Sequence, residues 1–82
     1  MSWKEILKNE EIKDYERMLD KAKEKANSRK YTPDTKESIS AILNSLDSKL
    51  ARLKKLDILD GSEVDFEETM DRLDYFINLH YR

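Results

Sequence analysis

The chain has 82 residues, with 38% hydrophobic and 41% charged side chains and a formal net charge of −2. That length supports one domain around one modest core, residues 1–82 together, and the charge gives no global basic field for nucleic acid and no strong acidity for mimicking it. One Gly, one Pro and no Cys leave few turn residues for a sheet, and no disulfide, thiolate nucleophile or zinc–cysteine site.

Ser2-Trp3-Lys4-Glu5 fits a capping box, so a helix is expected almost at once. At 100° per residue Trp3, Ile6 and Leu7 share one stripe, whereas Ile12, Tyr15, Leu19, Ala22 and Ala26 share another, rotated by roughly a third of a turn. One straight helix cannot bury both stripes equally. Asn9 followed by Glu10 and Glu11 resembles a new N-cap, so a break is expected there, with a short helix over 3–8 and a long one over 10–30. In this reading Trp3, Ile6 and Leu7 fold over the bundle end and meet Leu56, Ile58, Leu59, Val64 and Phe66.

Thr32 then Pro33 reads as an N-cap followed by a first helical proline. From there Ile39, Ile42, Leu43, Leu46, Leu50, Leu53 and Leu56 hold one face, predicting a helix over 33–58 that stops before Gly61. A last helix, expected over 65–81 with Ser62 or Asp65 as cap, carries Phe66, Met70, Leu73, Phe76, Ile77 and His80 on its core stripe. Short connections make successive long helices antiparallel. The expected fold is therefore all-α: a small antiparallel three-helix bundle with a short additional N-terminal helix.

No apolar run approaches the roughly 20 residues of a membrane span, so no membrane partner is expected and the cytoplasm is the default location. His80, the single histidine, has no second ligand at helical spacing and reads as a packing residue. Nucleophile elbows, phosphate loops and dinucleotide fingerprints are absent from the sequence, so neither an enzyme nor a cofactor is expected.

Three features remain. Asp57, Asp65 and Glu68 stand where the first, ninth and twelfth positions of a calcium loop would, so the segment 57–68 resembles an EF-hand loop. Leu59, Gly61 and Ser62 depart from that pattern, and a Gly-containing turn followed by an Asp65–Glu68 capping box accounts for the same residues. A degenerate calcium module is accordingly a minor alternative.

Charge is also polarised. Between Lys21 and Lys36 six bases face two acids, whereas between Asp57 and Asp74 eight acids face Arg72 alone. The first interhelical tip gathers Lys25, Arg29, Lys30, Tyr31, Tyr81 and Arg82, a basic-aromatic patch that makes nucleic-acid binding the alternative function. Finally, Trp3, Tyr75 and Leu79 are apolar surplus to the core stripes and are the candidate partner-binding residues. The leading expectation is a small non-enzymatic protein–protein interaction module (regulator, inhibitor or assembly factor) that binds another protein or itself.

Overall fold

Among the described residues, twelve buried apolar side chains, four from each of three helices, form the core. The computed structural model describes residues 3–57 and 59–79, and the helices are α1 (Trp3–Ser28), α2 (Pro33–Lys55) and α3 (Ser62–Leu79). Helix α1 contributes Ile12, Tyr15, Leu19 and Ala22, α2 contributes Ile39, Leu46, Leu50 and Leu53, and α3 contributes Phe66, Met70, Leu73 and Ile77. Most spacings are three or four residues, which keeps each set on one helix face. Burying each of the larger side chains contributes about 1.5–3 kcal/mol.

Helix α1 runs from Trp3 to Ser28 without a break at Asn9, so there is no separate N-terminal helix. Extending an existing helix through Asn9 costs only a few tenths of a kcal/mol in propensity, about 0.7 at most, whereas a second helix needs its own nucleus. The two stripes of α1 are therefore resolved by exposure rather than by a kink: the second faces the core and the first faces solvent. Ser2 and its expected capping box lie outside the described residues.

The connection spans residues 29–32. Thr32 caps α2 as expected, its side chain accepting from the Thr35 amide at 3.3 Å with Pro33 in the first turn. Helix α2 stops at Lys55, short of the expected 58, because Leu56 turns extended and packs its side chain against the core. The Lys8 ammonium reaches across from α1 to donate to the carbonyl oxygens of Lys54, at 3.2 Å, and Leu56. A cation there complements the negative end of the α2 dipole.

Helix α3 starts at Ser62, three residues before the expected 65. An Asp60 carboxylate oxygen accepts from the Ser62 amide at 3.1 Å and from its hydroxyl at 2.5 Å, while Glu63 accepts from the Gly61 amide at 2.9 Å. Gly61 has φ +97°, a left-handed conformation that disfavours side chains with a Cβ. These bonds take the place of the expected Asp65–Glu68 box, and Asp65 instead pairs with Lys49 of α2 at 2.5 Å.

Across α1 and α2, Glu16 meets Lys54 at 2.8 Å and Lys23 meets Asp47 at 3.1 Å, so numbering rises along one helix as it falls along the other. Between α1 and α3 it rises together: Tyr15 meets Phe66 and Glu67, and Arg29, just past the end of α1, meets Asn78. Of the three helix pairs, α1 and α3 touch least.

Candidate interaction surfaces

From Trp3 to Glu11 no side chain of α1 is buried, and only Lys8 is half-buried. Trp3, 66% exposed, stands with Ile6 and Leu7 at helical offsets of three and four, so the three share one uncovered face. The Lys4 ammonium lies 6.0 Å from the centroid of the Trp3 ring, at the limit of a cation–π interaction. The expected lid over the second turn is therefore not formed. An unbroken α1 carries Trp3 and Ile6 outward on its solvent side, and only Leu7 approaches the turn, where it borders a shallow depression with Leu59. Ile58 lies outside the described residues.

A second uncovered group lies on the outer face of α3, where Tyr75 is 69% and Leu79 60% exposed. Val64 is exposed on the same line of the helix, separated from them by exposed Glu68 and Asp71. This face is thus apolar at both ends and anionic in the middle. The sequence-selected residues Trp3, Tyr75 and Leu79 are all accessible, but on two different helices.

The basic tip is braced internally. The Tyr31 hydroxyl donates to the Ile77 carbonyl at 3.2 Å and its half-buried ring packs against the core. Arg29 donates to the Asn78 side-chain oxygen at 2.9 Å. Lys25 and Lys30 are exposed, whereas Tyr81 and Arg82, and likewise His80, lie outside the described residues.

In the segment 57–68, Asp60, Glu63 and Asp65 are engaged by Ser62, Gly61 and Lys49 respectively. Among the described residues no three His, Asp or Glu side chains are placed to hold a metal ion together. The Asp60 carboxyl sits below its ordinary value because the Ser62 hydroxyl, and then the Ser62 amide, donate to the charged form. No described helix is long and apolar enough to cross a membrane.

A three-helix bundle implies a seam between α1 and α3, but sequence reasoning did not foresee the pairing of Tyr15 with Phe66 and Glu67 there. Buried Tyr15 packs its ring 4.7 Å from that of Phe66 and donates its hydroxyl to Glu67 at 2.6 Å. Burial first, then Glu67, raises its phenol well above the ordinary range. Met18, 40% exposed, lies one turn further along the same seam. A pairing between residues 52 positions apart has no local signal; the sequence sign of this seam is Met18, an apolar residue off the main stripe of α1. Comparison with protein-family models, curated proteins and solved structures finds no match to this chain.

Proposed function

We propose that the chain is a single-domain, non-enzymatic helical module, an antiparallel three-helix bundle over residues 1–82 that acts by binding another protein or a second copy of itself. A regulator, inhibitor or assembly factor fits this description. The opposed numbering of the α1–α2 ion pairs supports the antiparallel order. One observation carries the functional reading: among the described residues the core is built from twelve others, while Trp3, Ile6 and Leu7 stand uncovered together on a helix. Side chains at offsets of zero, three and four are how an amphipathic helix engages a hydrophobic groove, and Trp is enriched among residues that dominate binding energy.

The experiment is affinity capture from the source cell by the wild type and by Trp3→Asp/Ile6→Asp, with mass spectrometry of the retained proteins and sedimentation of the purified chain. A protein, or a second copy, held by the wild type and released by the double variant supports the reading. Identical retention by both, with no self-association, removes it.

A further inference from the structure

We propose that the seam between α1 and α3 receives an amphipathic helix from a partner protein, cationic along its edge facing α3 and carrying two large apolar side chains three turns apart. This rests on the interaction-module reading and adds a second surface to it, sharing only Leu7 with the Trp3–Ile6–Leu7 face.

Two depressions lie along the seam. One, of about 290 Å³, is lined by Lys4, Leu7, Lys8 and Glu11 of α1 together with Leu59 and Glu63. The other, of about 160 Å³, is lined by Met18, Lys21, Ala22 and Lys25 of α1 and by Met70 and Asp74 of α3. Between them the Tyr15–Glu67 hydrogen bond bridges the two helices. The second depression is floored by buried Ala22 and Met70, and Ala22 is the smallest residue of the core, so the space beside it is what a longer side chain would occupy.

Spacing and charge define the occupant. Leu7 and Met18 are eleven residues apart on one line of α1, three helical turns and about 16 Å. A helix lying along the seam therefore sets apolar side chains at i and i+11 into the two depressions. The α3 bank offers Glu63, Glu67 and Asp74, all acidic, and the α1 bank is mixed, with Lys4, Lys21 and Lys25 against Glu11. Lys8 is committed to the α2 carbonyls. Complementarity thus requires Lys or Arg on the α3 side of the incoming helix. The chain's own α1 has apolar residues at the right spacing, but Glu10, Glu11 and Asp14 lie between them, which disfavours a second copy. A single helix covers less than the roughly 800 Å² per partner of a standard interface, which places this contact among the transient ones.

The test titrates the full chain into two fluorescein-labelled 18-residue synthetic helices and follows anisotropy. Both peptides carry Leu at i, i+4, i+7 and i+11; along the one edge that would face α3, one has Lys and the other Glu. The Lys peptide should bind at least tenfold more tightly than the Glu peptide. Met18→Glu and Leu7→Glu, both at exposed positions and checked for helicity by circular dichroism, should each weaken it at least tenfold. Tyr75→Ala/Leu79→Ala should leave it unchanged. Equal binding of the two peptides, no binding of either, or binding indifferent to Met18→Glu overturns the seam proposal. If the Tyr75→Ala/Leu79→Ala pair abolishes binding while Met18→Glu does not, the seam falls and the interaction-module reading stands; that reading fails separately, in the capture experiment.

Discussion

Tyr15 donates its hydroxyl to Glu67 at 2.6 Å across the seam between α1 and α3. The contact joins a core ring to an exposed carboxylate, and it ties together the helix pair that touches least. Tyr15→Phe keeps the ring against Phe66 and removes only the donor; because Glu67 is exposed, the cost should fall below the roughly 1.5–3 kcal/mol of a bond to a charged group, at about 0.5–1.5 kcal/mol.

The same residue gives a pH dependence. Its phenol is raised above 10.0 in the folded state, so in alkali the unfolded chain releases this proton first. Stability from Tyr15 is complete below its unfolded pKa and is lost progressively as pH rises above about 10. Urea unfolding at neutral and alkaline pH should show the wild type losing more stability than Tyr15→Phe. Parallel losses would mean that the phenol titrates alike in both states.

Leu46 is fully buried at the middle of α2. Leu46→Ala should cost about 2–5 kcal/mol by chemical denaturation, through lost transfer energy and the cavity left behind. A change of a few tenths would place this face of α2 outside the cooperative core.

Lys8 joins α1 to the end of α2, where its ammonium meets two carbonyls. Lys8→Met preserves much of the aliphatic stem and removes the charge, so about 0.3–1 kcal/mol should be lost at low salt. Raising the ionic strength should shrink the difference, since the site is partly open to solvent. An undiminished difference in high salt would assign the effect to packing.

The parts of the fold legible in sequence are those fixed by neighbours along the chain. Thr32 and Pro33 specify a helix start locally, and the stripe from Ile39 to Leu53 specifies a buried face whatever lies opposite. The start of α3 was misplaced because Asp60 and Glu63 supply its capping bonds, while Asp65 and Glu68 imitate a box inside the helix. Two apolar stripes imply a break at Asn9 only on the premise that both are buried. Exposure of Trp3 shows that premise to be the error. The α1–α3 seam depends on tertiary pairing, which periodicity within either helix does not encode.

The last prediction concerns the first turns of α1. A helical segment is held chiefly by the packing of its apolar face, and a short one without such packing is marginal in water. Residues 3–11 bury no side chain, so their helicity rests on continuity with the packed part of α1 beginning at Ile12 and on the Lys8 contacts. Their amides should exchange with solvent far faster than those around Leu19, with opening free energies well below that of global unfolding. Trp3, the single tryptophan, should emit at the long wavelength of a solvated indole and be fully open to acrylamide. Trp3→Ala should then change stability by less than about 0.5 kcal/mol, as surface substitutions do. Blue-shifted, quencher-protected emission in the dilute chain would mean that Trp3 is covered within the monomer and would remove it from the binding surface. The same shift arising only at high concentration, and reversed on dilution, would identify a second copy as the cover.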